Sequence, residues 1–114
     1  MNPEVKELWL EALRSGEYEQ GTRYLNSDGK FCCLGVLCEV ALRVNPLLVK
    51  VEVRQDSYFS ITEYDDRKGF LPASVKEWAG LDSNNPRVLD GRLSELNDGG
   101  TSFQVIADLI ENNL

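Results

Sequence analysis

The stretch of this sequence with the most chemical character is Asn97-Asp98-Gly99-Gly100-Thr101-Ser102-Phe103. Its paired glycines allow a ligand close to the main chain. It also runs into an expected helix start, where free N–H groups and the helix dipole favour phosphate or carboxylate. It is not a P-loop, because the terminal Lys-Ser/Thr is missing. A second stretch, between Arg14 and Tyr24, interleaves Arg14 and Arg23 with Tyr18, Gln20 and Tyr24. Arginine offers a planar fork for phosphate, and tyrosine offers a ring face for a base together with a hydroxyl. The candidate ligand-binding set is therefore Arg14, Tyr18, Gln20, Arg23 and Tyr24 with Asn97, Asp98, Gly99, Gly100 and Thr101, for a small nucleotide-like ligand. The plainer reading of both stretches is a self-satisfied capping box behind a flexible loop, and a packed loop with solvated charges.

Other chemistry finds less support. The chain has no histidine, which removes Ser–His and Cys–His hydrolysis, since a thiol or hydroxyl needs a base to become a nucleophile. Its three cysteines, Cys32, Cys33 and Cys38, lie in an apolar segment. Zinc wants four ligands or three plus water, and neighbouring Cys32 and Cys33 point apart in an extended segment, so core packing is expected and no metal. An odd number of cysteines within seven residues is also a poor disulfide framework. Carboxylate chemistry would have to use Asp65 with Asp66, or Asp90, Glu95 and Asp98, and their spacing matches no catalytic or metal motif. No catalytic residue and no cofactor is assigned.

These residues need elements to position them. Asn2 and Pro3 suit the cap and first position of a helix whose stripe is Val5, Leu8, Trp9, Ala12 and Leu13, closed by Gly16. Asn26-Ser27-Asp28-Gly29 predicts a hairpin turn between Tyr24-Leu25 and Lys30-Phe31-Cys32. From Cys33 to Val44 apolar residues cover nearly the whole helical circumference, which predicts a buried central helix ended by Asn45-Pro46. Val49, Val51 and Val53 alternate with charged residues and predict a strand, paired with Tyr58–Tyr64 through Gln55-Asp56-Ser57. Pro72 to Gly80 reads as a short helix with Trp78 in the core. Residues 82–90 read as loop with an extended piece near Val88, and Leu93–Leu96 as one helical turn. Thr101, three residues before Gln104, predicts a capping box for a last helix buried through Phe103, Ile106, Ala107, Leu109 and Ile110.

The sum is a single α+β domain over residues 1–114, with a buried central helix, amphipathic helices near both ends and a small antiparallel sheet. Hydrophobic residues at 42% and charged ones at 27% are ordinary for a globular chain. No apolar stretch approaches the ~18 residues of a membrane span, and nothing at the start reads as a signal segment, so the cytoplasm is the expected address. The net charge of −7 is carried almost wholly by residues 55–114, with five Lys/Arg against eleven Asp/Glu. Such a balance disfavours nucleic-acid binding and would suit a basic protein partner.

The runs Trp9-Leu10-Glu11-Ala12-Leu13-Arg14-Ser15-Gly16, Tyr18-Glu19-Gln20-Gly21 and Phe31-Cys32-Cys33-Leu34-Gly35-Val36-Leu37-Cys38 together resemble a family of short phage and prophage proteins. Leu71-Pro72, Glu77-Trp78-Ala79-Gly80-Leu81, Leu96-Asn97-Asp98, and Ser102-Phe103 with Ile106-Ala107-Asp108 are similar to the same family, while residues 45–65 carry none of the likeness. The resemblance implies a phage gene acting in the cytoplasm of an infected bacterial host, and no particular chemistry. Small phage proteins often counter host defence. The leading expectation is thus a non-enzymatic protein that sequesters a nucleotide-derived immune signal, in a pocket shared between subunits of a homo-oligomer. The alternatives are an acidic protein that blocks a basic host defence protein or nuclease, and a carboxylate- or metal-dependent enzyme.

Overall fold

Asn2 caps the first helix as its position predicts, its side-chain oxygen accepting from the N–H groups of Glu4 at 2.9 Å and Val5 at 3.1 Å. The computed structural model describes residues 1–114. Helix α1 runs Pro3–Arg14 and buries Val5, Trp9, Leu10, Ala12 and Leu13. Leu8, expected in that stripe, is only half-buried. The Trp9 indole N–H donates to the Cys33 carbonyl at 3.0 Å, so the largest side chain of α1 is satisfied at the start of the next helix.

Strands β1 (Glu19–Gln20), β2 (Asn26–Ser27), β3 (Lys30–Phe31), β4 (Val51–Gln55) and β5 (Ser60–Tyr64) form one sheet in the order β1-β3-β2-β5-β4. Asp28 and Gly29 take positive φ, 52° and 77°, as the turn between β2 and β3 requires. The β4–β5 hairpin pairs Val51 with Tyr64 through Gln55 with Ser60. One pairing departs from the expected antiparallel sheet: β1 lies parallel to β3. A two-residue strand carries no periodicity to betray it, so the sheet is mixed where the sequence suggested otherwise.

Helix α2 (Cys33–Val44) is the centre of the core, burying Cys33 through Cys38 together with Val40 and Ala41. It can sit there because Gly35 has no side chain: a Cβ at that position would lie 1.7 Å from the Leu25 carbonyl oxygen. All three cysteines are buried and unpaired. Helices α3 (Ala73–Trp78) and α4 (Leu93–Asp98) pack on α2, and the two-stranded hairpin β6 (Arg87–Val88) with β7 (Gly91–Arg92) joins α4 and α5 (Phe103–Asn113), which packs on α1. Trp78 is half-buried at the edge of this core rather than within it. No helix is long and apolar enough to cross a membrane. The architecture is α+β.

The start of α5 corrects the sequence reading by one residue. Ser102, not Thr101, is the cap, its hydroxyl accepting from the Val105 N–H at 3.3 Å. Thr101 is committed through its main chain, its N–H donating to the Leu96 carbonyl at 3.0 Å and its carbonyl accepting from Gln20 at 2.8 Å. Ser102→Ala is therefore expected to lower unfolding free energy by about 0.5–2 kcal/mol in urea titrations. Thr101→Ala, which keeps both main-chain bonds, should stay within about 0.5 kcal/mol of wild type. The reverse order would restore the capping box.

Candidate functional site

Asn97, near the end of α4, is 1% exposed and fully satisfied. Its Oδ1 accepts from Gln20 Nε2 at 2.9 Å and from the Cys33 N–H at 3.1 Å. Its Nδ2 donates to the Gly21 carbonyl at 2.8 Å and to Asp98 Oδ1 at 3.3 Å. Cys32, at the cap position of α2, makes no side-chain cap hydrogen bond, and Asn97 satisfies from α4 the first free N–H of the helix, that of Cys33. One amide thus fastens β1, the start of α2 and α4 together.

The neighbouring Asp98 Oδ1 accepts the Arg23 N–H at 3.0 Å, which holds Arg23 at φ 72°. Three other non-glycine residues have positive φ, Asp28, Asp65 and Asp66, and aspartate is among the residues that tolerate this geometry. Arginine is not. The Arg23 side chain is exposed, makes no ion pair, and stands at the lip of a hollow of about 300 Å³ lined also by Cys32, Gly69, Phe70, Ser94 and Asp98. Phe70 leaves 48% of its surface to solvent there. A second hollow, all polar, lies along Gln20, Gly21, Thr22, Ser27, Asp28 and Lys30. The Gly21–Arg23 segment separates the two.

Of the residues that the sequence singled out, Gln20, Arg23, Asn97, Asp98 and Thr101 come together. Within that group the Asn97 amide and the Gln20 Nε2 are already used internally, as described above. Gly99 and Gly100 do not form an anion cradle. The N–H groups of Gly99, Gly100 and Thr101 donate back to the carbonyls of Glu95, Asn97 and Leu96, so the loop closes the C-terminus of α4 instead of offering donors outward. Arg14 is elsewhere. Its guanidinium binds Asp108 at 2.8 Å and Glu111 at 3.4 Å, five to eight residues into α5, roughly 10 Å along the axis from the glycines at 1.5 Å per residue. Tyr18 packs edge-on against Phe31 and Tyr24 lies tilted on Phe59, each half-buried. Phe70 and Ser94 were not singled out, since an aromatic beside a glycine and a serine in a short helix carry no pattern of their own.

Among the carboxylates that the sequence singled out for acid–base or metal chemistry, Asp65 has structural employment. Asp65 accepts from the Lys50 N–H at 2.7 Å and from the Ser74 hydroxyl, pinning the turn after β5. Glu52, Glu63 and Asp66 bring one oxygen each within 4.8 Å of one another, a grouping that the sequence did not suggest. Lys50 and Arg54 already neutralise Glu52, and Arg54 also holds Glu63.

Burial pushes the Cys32 thiol up from 9.0 to about 11, against a smaller opposite pull from the amides of Gly35 and Leu34 at the start of α2. Burial raises Cys33 and Cys38 as well, and likewise the Tyr64 hydroxyl. At neutral pH burial thus favours the neutral thiol of Cys32 over the thiolate.

Two measurements follow from this geometry. Asn97→Ala strands the Cys33 N–H, the Gly21 carbonyl and Gln20, and should lower stability by about 3 kcal/mol or more, where each stranded buried group costs ~1–3 kcal/mol. A loss below about 1 kcal/mol would mean that the three elements are held by something else. The buried thiols give a pH test. A folded-state value above the unfolded one means stability that is whole below pH 9 and is lost as pH rises through about 11. Urea midpoints should accordingly fall from pH 9 upward, and a midpoint unchanged at pH 11 would contradict the burial of these groups.

Comparison with curated proteins and with solved structures finds no match in either set. A family model matches residues 1–114, from one end of the chain to the other. The chain belongs to that family, described as a domain of unknown function, DUF8296.

Proposed function

We propose that this protein is a non-enzymatic binding protein that takes up a small nucleotide-derived signal in the hollow beneath Arg23, in the cytoplasm of a phage-infected bacterium. The observation that carries the reading is the backbone of Arg23. A side chain held at φ 72° costs conformational energy that glycine would not, and strain of this kind collects at ligand sites. Here the strained residue presents an unpaired guanidinium over a concave surface with an exposed phenyl ring beside it. The guanidinium suits a phosphate, the Phe70 ring suits the face of a base, and Ser94 and Asp98 suit ribose hydroxyls or an exocyclic amine. A hollow of about 300 Å³ is at the small end of the ~300–1,000 Å³ typical of such sites and matches a mononucleotide unit rather than a polymer. The phage setting rests on the sequence resemblance alone.

The test uses Arg23→Gly. Glycine accepts the local geometry, so the variant should be as stable as wild type or more stable by about 0.4–1 kcal/mol. It should bind adenine mono- and dinucleotides, linear and cyclic, about 10- to 150-fold more weakly in calorimetry, the range set by one charge-assisted bond of ~1.5–3 kcal/mol. Phe70→Ala should weaken the same ligands with little change in unfolding. Wild-type protein that binds none of these nucleotides, or an Arg23→Gly variant that keeps full affinity, would end this reading.

A further inference from the structure

The outer edge of the sheet is β4, five residues long with no proline and a pairing to β5 uninterrupted by any bulge. Sheet edges of this kind are templates for another strand unless they are broken or blocked. Which backbone groups it offers follows from its two ends. Asp56 donates to the Phe59 carbonyl at 2.8 Å, and Lys50 accepts from the Asp65 N–H at 2.7 Å. Hydrogen-bonded pairs alternate along an antiparallel ladder, so Lys50, Glu52, Arg54 and Asp56 turn their main chain toward β5. Val51, Val53 and Gln55 turn theirs outward. Val51 and Val53 are also exposed, at 40% and 60% of their surface.

The side chains along this edge are arranged to meet themselves. Reading Lys50-Val51-Glu52-Val53-Arg54-Gln55-Asp56 against a second copy running the other way, with Val53 opposite Val53, sets Lys50 opposite Asp56 and Glu52 opposite Arg54, twice each. The same register sets Val51 opposite Gln55. It places the outward main-chain groups of Val51, Val53 and Gln55 directly against their counterparts, so the hydrogen-bonding parity and the charge pattern select the same alignment. A shift by two residues, with Val51 opposite Val51, would oppose Glu52 to Lys50 but leave Arg54 facing Leu48 and forfeit half of the charge pairs. A two-fold interface needs just this property, that each residue find its partner in the other copy and be found by it.

We propose that β4 is a dimerisation edge, at which two copies of this chain pair antiparallel about Val53 and join their sheets into one. The intrachain contacts of Glu52 with Lys50 and Arg54, and of Arg54 with Glu63, become the middle of a row of alternating charge that crosses the interface. The interface is separate from the hollow under Arg23 and holds whether or not a nucleotide binds there.

The experiment is sedimentation equilibrium of the full chain with a charge exchange. Wild type should show a monomer–dimer equilibrium. Glu52→Arg alone places arginine against arginine, and Arg54→Glu alone places glutamate against glutamate. Each should weaken self-association at least about tenfold, since two favourable cross-strand pairs become two repulsive ones. Mixed one to one, the two variants should form a heterodimer, because every pair is again opposite in sign. Val53→Pro should be monomeric with an unchanged circular dichroism spectrum, because the N–H it removes points away from β5 and edge strands accept proline in that position. Wild-type protein that stays monomeric up to about 1 mM would overturn the proposal. So would a dimer that ignores Val53→Pro, or single variants that fail to pair when mixed.

Discussion

A side-chain amide shut away from water must find every partner it needs within the protein, and Asn97 finds four. Two lone pairs and two N–H groups are all engaged, by β1, by the loop after it, by the first amide of α2 and by the adjacent Asp98. The arrangement gives the Cys33 N–H, one of the donors left free at the buried start of α2, a partner. It also fixes the height of α4 against α2, and through Asp98 it fixes the main chain of Arg23. The hollow, the strained arginine and the start of the central helix are consequences of one hydrogen-bonded knot.

Gly35 sets the complementary constraint. Where Asn97 draws elements together by polar bonds, the absence of a side chain at Gly35 lets the Leu25 main chain rest on the axis of α2. Leu25 is buried and its N–H is taken by the Lys68 carbonyl, so the segment carrying Arg23 is held on one side by α2 and on the other by the chain leading to Gly69 and Phe70. Two walls of the hollow are thereby tied to the core.

Helices and hairpins were legible because they repeat. The stripe of α1, the wholly apolar α2, the Asp-Gly turn and the alternation in β4 each announce themselves over several residues. Features that rest on one contact did not. Arg14 and Arg23 look alike in sequence, yet one is the partner of two carboxylates on α5 and the other is free, a difference made by tertiary placement alone. The glycine pair at 99 and 100 fits the start of one helix and the end of another equally well, and short α4 immediately before α5 made the second reading the true one. Asn97 offered no signal of its central position, because a buried, saturated asparagine and an exposed, ligand-binding one are the same letter.

The first and last helices pack on each other, joined by Lys6 Nζ to the Glu111 carbonyl as well as by Arg14 to Asp108. This closure has a temporal side. Helix α1 emerges from the ribosome early, but one of the elements it packs on is α5, which emerges long after it. At ~5–20 residues per second, the apolar stripe of α1 waits on the order of ten seconds with that element missing. The core of this domain is therefore completed only once α5 has left the ribosome, and until then the apolar stripe of α1 stays open on that side.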